Sequence, residues 1–254
     1  MRYSTCVAAV LCAAMVATAA PPGMQFSNGG NQITAFSPVS NPFATGADFL
    51  WDDGTGEASI GVNNGVTGTT FGWSNRFQNN SGAPIVIANI EVAFGRIAGL
   101  PGDPLEGDAV DAVLYRGGTG TLQSATFDRR WTLPGGIHSG DGMTFANHNV
   151  PGGAFVVNPG EFFFVGLGDI QTQNDSIIRF PAAQDTTAPH TSNVSWAHFG
   201  PATYDPQNLG AQTVGTIESF GLPGNWLVRA NIIPEPATLS LLVFGGLALV
   251  RRRR

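Results

Sequence analysis

Between residues 20 and 233 the apolar side chains never keep a helical spacing over three turns. They come in short β-branched and aromatic runs, cut by Gly, Pro, Asn and Asp. The runs fall at 69–77, 85–94, 109–115, 122–133, 143–147, 155–157, 162–167, 177–180, 194–199, 214–217 and 226–232. Such punctuation marks strands joined by tight turns. A parallel sheet would need crossover helices, which this stretch does not supply. The expectation is therefore all-β: a two-sheet antiparallel sandwich, jelly-roll-like.

Several runs also show which face is buried. Ile90, Val92 and Phe94 alternate with Asn89 and Glu91. Trp226, Val228, Ala230 and Ile232 alternate with Arg229 and Asn231. Each pattern describes a strand with one face inward. Phe162-Phe163-Phe164-Val165 has no polar face, so that strand is expected to be central and covered on both sides. Loops are expected at 99–108, 181–192 and 201–212. Within 21–47 only 33–36 reads as strand-like.

Composition excludes several functions. The segment from 20 to 233 has no cysteine and no lysine, and seven arginines face 17 acidic side chains. Without thiols there is no disulfide framework and no thiolate metal site. An acidic surface is a poor partner for phosphate, so nucleic acid is not expected.

The two ends read as addresses. Arg2, an apolar stretch from Cys6 to Ala17 and a small-x-small site at Ala17-Thr18-Ala19 make a secretory signal peptide over 1–19, drawn as a helix. Both cysteines, Cys6 and Cys12, lie inside it. At the other end Pro234, Glu235 and Pro236 precede an apolar run of 14 residues, 237–250, and then Arg251, Arg252, Arg253 and Arg254. As a helix this run would reach about 21 Å, short of the ~30 Å hydrocarbon core. It suits a transient membrane helix, with the arginines held on the cytoplasmic side. This layout resembles the PEP-CTERM sorting signal of Gram-negative bacteria. The resemblance covers about a tenth of the chain. It implies recognition by exosortase, a membrane protease-transpeptidase, and a tail over 234–254 that touches the membrane before processing. One β-sandwich domain would then occupy 20–233.

Within that domain the densest acidic motif runs from Asp48 through Trp51-Asp52-Asp53-Gly54-Thr55-Gly56 to Glu57. Followed by Trp73, Arg76 and Phe77, it resembles a pattern of secreted bacterial β-sandwich modules. Carboxylates around a glycine turn are the hard oxygen ligands that Ca²⁺ takes. Asp48, Asp52, Asp53 and Glu57 are the candidate ligands, although the spacing is not that of an EF-hand. The plain alternative is a solvated Asp-Gly turn. A second acidic set, Asp103, Glu106, Asp108 and Asp111, leads into a strand and reads as a solvated loop or a weaker metal site.

Catalytic motifs are scarce. There is no G-x-S-x-G, and His138, His148, His190 and His198 show no zinc spacing and read as surface polarity. Two of the 17 acids could form a glycosidase pair, but no pattern selects them. Trp196 lies close to Asn193 and His198, a grouping that would suit a sugar-binding face if the indole were exposed. The expectation is an exported cell-surface or extracellular-matrix protein with a structural or adhesive role, and not an enzyme. A carbohydrate-binding module that meets extracellular polysaccharide is the alternative. A polysaccharide-active enzyme ranks last.

Overall fold

The computed structural model describes residues 24–28, 48–62, 69–95, 110–133, 144–171, 182–200 and 205–233. The expected signal peptide, the expected sorting tail, the two expected terminal helices, the expected strands 33–36 and 177–180, and the 99–108 loop lie outside these residues. So do Asp103, Glu106, Asp108 and His138.

Fourteen strands appear in order among the described residues. They are β1 (Met24–Asn28), β2 (Ala58–Val62), β3 (Thr69–Gln78), β4 (Ile85–Ala93), β5 (Val110–Arg116), β6 (Thr126–Leu133) and β7 (Phe145–Asn149). Then follow β8 (Phe155–Val157), β9 (Phe162–Gln171), β10 (Ala182–Asp185), β11 (Ser195–Gly200), β12 (Thr213–Thr216), β13 (Asn225–Trp226) and β14 (Val228–Ile233). Every pairing is antiparallel. Among the described residues the only helical pieces are 3₁₀ turns at Leu122–Ser124, Leu209–Ala211 and Ile217–Phe220.

One layer is a six-stranded sheet in the order β12-β11-β3-β9-β5-β6. The other is not a single sheet. It consists of β1-β2-β10-β13 and β14-β4-β7, with β8 also on β4. The two meet at Leu227, between β13 and β14. Its N–H donates to Ala183 O, and its carbonyl accepts from Ala93 N–H. A bridge between Phe94 and Ala182 closes the fork. Asn75 of β3 ties this fork to the opposite layer. Its amide donates to Trp226 O at 2.8 Å and Val228 O at 2.9 Å, and its Oδ1 accepts from Ser195 Oγ. A buried amide with its donors and acceptor engaged has little desolvation cost left.

The core between the layers takes alternate residues from the long strands, as the period of a strand requires, except at a bulge in β4 where the inward set steps from Ile87 to Ile90. Phe71, Trp73 and Phe77 of β3 and Phe163, Val165 and Leu167 of β9 meet Ile87, Ile90 and Val92 of β4 and Trp226, Val228 and Ala230. Each of the Val, Leu, Ile and Phe side chains among these contributes about 1.5–3 kcal/mol by leaving water. Phe164 points the other way, into a second cluster with Val113, Tyr115, Leu122, Trp196 and Leu209. β9 pairs with both β3 and β5, so the strand with no polar face is internal and covered on both sides.

The differences from expectation are local. Met24–Asn28, Ala58–Val62 and Ala182–Asp185 are strands that the sequence did not mark, and β10 lies inside an expected loop. Ala182-Ala183-Gln184-Asp185 has no aromatic or β-branched residue to announce it. The run 122–133 splits into a 3₁₀ turn and β6.

Candidate functional site

The segment from Asp48 to Glu57 is laced to three strands. Phe49 exchanges backbone hydrogen bonds with Ala230 of β14, and Asp48 Oδ2 accepts from Ile232 N–H at 2.8 Å. Trp51 Nε1 donates to Arg76 O of β3 at 2.7 Å. Asp53 N–H donates to Asp185 Oδ2 of β10 at 2.9 Å, and Glu57 N–H donates to Gln184 O. Between these ties the chain makes two successive Asx turns. Asp52 Oδ1 accepts from Gly54 N–H, and Asp53 Oδ1 accepts from Thr55 N–H. Gly54 sits at φ +94°, a region that side chains other than glycine avoid.

The four expected metal ligands therefore separate. Asp48 caps the backbone of β14. Asp52 is buried and held by Arg229, whose Nε lies 3.1 and 3.2 Å from its two oxygens and whose NH2 also donates to Oδ1. Burial raises the Asp52 pKa, and Arg229 pulls it back in part. An aspartate already paired with a guanidinium has little left for a cation, so Asp48 and Asp52 leave the candidate set. The guanidinium also lies over the Phe145 ring at 3.7 Å, and its NH1 is 4.0 Å from Glu91 Oε2.

Asp53 and Glu57 stay together, and Asp185 joins them from β10. Ligand oxygens of the three lie within 4.8 Å of one another. Thr55 Oγ1 stands 2.6 Å from Asp53 Oδ1 and 2.7 Å from Glu57 Oε1. One hydroxyl has one proton to give, so both contacts cannot be satisfied while both carboxylates are ionised. Burial, and then the charges of Asp53 and Glu57, push the Asp185 carboxyl up to about 6, against the hydrogen bonds it accepts from Asp53 and Thr187 N–H. A proton or a divalent cation would relieve this crowding.

Trp196, Asn193 and His198 do not form an exposed face. Trp196 is only 6% exposed and packs edge-on against Phe164, with centroids 6.2 Å apart. His198 is 1% exposed, and its ring covers Gly72 so closely that a Cβ there would come within 1.9 Å of Nε2. Its Nδ1 meets Gln212 Oε1, and burial drives its pKa down to about 4. Asn193 is exposed on the turn before β11, at φ 62°, with its N–H on Glu218 Oε1. The reason is topological. β11 pairs with both β3 and β12, so it is internal to the sheet, and the side chains on its outer face are roofed by the segments carrying Leu122 and Leu209. His148 is also buried, not a surface residue. Asp111 accepts from Thr132 Oγ1 on the neighbouring strand, with Arg130 3.9 Å away.

Trp51 is half-buried and has open space beside it. A cleft of about 710 Å³ is lined by Trp51, Phe162, Arg76, Gln78, Asn80 and Ser192, among others. The indole stacks on Phe77 at 5.9 Å with planes 10° apart. The Arg76 guanidinium lies 5.3 Å from the Phe162 ring centre, and its NH1 donates to Gly120 O at 2.8 Å. A smaller hollow of about 300 Å³ lies beside Asp128, Arg129, Arg130, Pro151 and Gly152. Neither was legible in the sequence: the larger draws its lining from segments far apart in the chain, and the smaller joins β6 to the turn at Pro151-Gly152.

No family model matches the chain, and no curated protein matches it. Among solved structures, the cysteine protease and lectin-like domains of Cwp84, a surface layer associated protein of Clostridium difficile, align with a TM-score of 0.41 and 14% identity. The match covers 69% of this chain and 33% of the other. The chain thus spans about a third of that protein's length, and at this score the likeness carries no argument.

Proposed function

We propose that the chain is an exported protein of the cell surface or extracellular matrix, with a structural or adhesive role. The observation that carries this reading is the order of three features at 234–254: Pro234-Glu235-Pro236, the apolar run and Arg251–Arg254. An exosortase-like protease is the proposed partner, and the unprocessed tail is the proposed membrane contact. Among the described residues no helix is long and apolar enough to cross a membrane, and the tail is not among them. The sandwich, whose connectivity we assign to the jelly-roll type, is the cargo. Its antiparallel sheets pack around a core that needs no disulfide, which suits a protein that must hold its shape outside the cell. Ca²⁺ on Asp53, Glu57 and Asp185 would pin the 48–57 segment to β10.

Deleting residues 234–254 tests the sorting. In a host that carries the protease, the truncated protein should be released to the medium in folded form. When the untruncated sequence is expressed, mass spectrometry of the surface-bound protein should find the last ~20 residues missing. Intact C-terminal arginines on the surface protein would defeat the processing step.

A further inference from the structure

We propose that the cleft beside Trp51 binds a neutral oligosaccharide of flat pyranose rings, such as a β-linked hexose chain. The proposal rests on the adhesive reading for its setting and on the cleft alone for its chemistry. Trp51 is fixed before any ligand arrives: the Phe77 ring lies nearly parallel beside the indole, and Arg76 O holds its Nε1 edge. A ring already held in place loses little freedom on binding. A hexopyranose with equatorial hydroxyls has an apolar C–H face, and such a face packs on an indole.

The polar lining fits hydroxyl groups. Asn80 and Ser192 make no side-chain hydrogen bond among the described residues, and both are exposed. Gln78 uses its amide nitrogen on Gly160 O at 3.0 Å, which leaves its oxygen to accept. Amides and hydroxyls both give and accept, as sugar hydroxyls do. The charges in the cleft are one of each sign, Arg76 and Asp48, so no net field selects an anion. At about 710 Å³ the cleft falls within the ~300–1,000 Å³ of ordinary ligand sites, which combine apolar walls with a few convergent polar groups.

Isothermal titration of the purified full chain with cellohexaose and with laminarihexaose tests this, with an oligogalacturonate as the anionic control. Saturable binding to at least one neutral chain is expected, with Kd at or below about 1 mM. Trp51→Ala should weaken it about tenfold or more, and Trp51→Phe, which keeps a ring on Phe77, should weaken it less. Asn80→Ala, at an exposed position, should weaken it about threefold with an unchanged melting temperature. The proposal is overturned if neither neutral chain binds, if Trp51→Phe and Asn80→Ala bind as well as wild type, or if the oligogalacturonate binds more tightly. Failure here leaves tail-directed sorting standing, and failure of sorting leaves the titration unaffected.

Discussion

Around residues 48–57 the fold buries charge against charge. Asp52 faces Arg229, Glu91 lies beside the same guanidinium, and Asp185 is crowded by Asp53 and Glu57. On the outer face of the six-stranded sheet, near Trp196, the groups packed in are uncharged. His198 is neutral over Gly72, and Trp196 and Phe164 pack edge to face. The two regions lie on the same scaffold but differ in what covers them. The 48–57 segment crosses from β14 to β10 and keeps Asp53 exposed and Glu57 half-buried, so cations and solvent can reach these two acids. β11 has strands on both sides and a roof, and an ion there would find no compensation.

The sharpest way to break this contrast is to remove Arg229. Arg229→Ala leaves Asp52 and Glu91 buried with no guanidinium between them. Losing one partner of such a cluster costs about 3–5 kcal/mol. Urea denaturation at neutral pH should show a loss of that order. The loss should shrink on acidification, as the stranded Asp52 carboxyl, whose pKa burial already raises, takes up a proton. A loss below about 1 kcal/mol would mean that the pair is solvated and the contrast false.

A smaller effect is expected from Ca²⁺. If the ion sits on Asp53, Glu57 and Asp185, it binds the folded state alone and stabilises it by about 2.7 kcal/mol at a hundredfold excess over Kd. Melting curves with chelator and then with millimolar Ca²⁺ should separate. Asp185→Asn should remove most of the separation, while Asp48→Asn should leave it. Equal shifts in both variants would return the segment to an ordinary acidic turn.

The smallest effect lies in pH, where the regions should pull in opposite directions. His198 has a folded pKa of about 4, against about 6.5 when unfolded, so its contribution is full above 6.5 and is lost as pH falls toward 4. Asp185 has a folded pKa of about 6, raised from 3.8, so its contribution is full below 3.8 and is lost as pH rises through 6. Between pH 4 and 6 the two oppose each other, and the wild-type profile should be shallow. Asp185→Asn should lose stability more steeply on acidification than wild type. His198→Gln should gain stability over the same range. Urea midpoints at several pH values measure the slopes, and parallel slopes in all three proteins would show that these groups do not set the profile.

Much of the scaffold was legible because strand periodicity is local. The alternation in 85–94 and 226–232 named the inward faces, and the four-residue apolar run at 162–165 named the central strand. β10 escaped because Ala182-Ala183-Gln184-Asp185 is strand only by virtue of its neighbours β2 and β13. The acidic site was half legible. Asp53 and Glu57 lie four residues apart, whereas Asp185 reaches them through the sheet. The tryptophans show the limit most clearly. Trp51 and Trp196 each stand beside polar residues in the sequence, and only the sheet order decides which one is roofed.

The sequence alone determined the strand-rich class and the absence of thiols in 20–233, and it carries the terminal motifs on which the proposed surface role rests. Those follow from composition and near-neighbour spacing, which the chain carries at any stage of folding. The tertiary structure decided the fork at Leu227, the partners of Asp52, Asp53 and Glu57, and the opening beside Trp51. Each depends on strands separated by up to about 180 residues meeting at one edge, as Asp52 meets Arg229 across 177 positions, and a contact of that kind is set by sheet order and register rather than by local pattern.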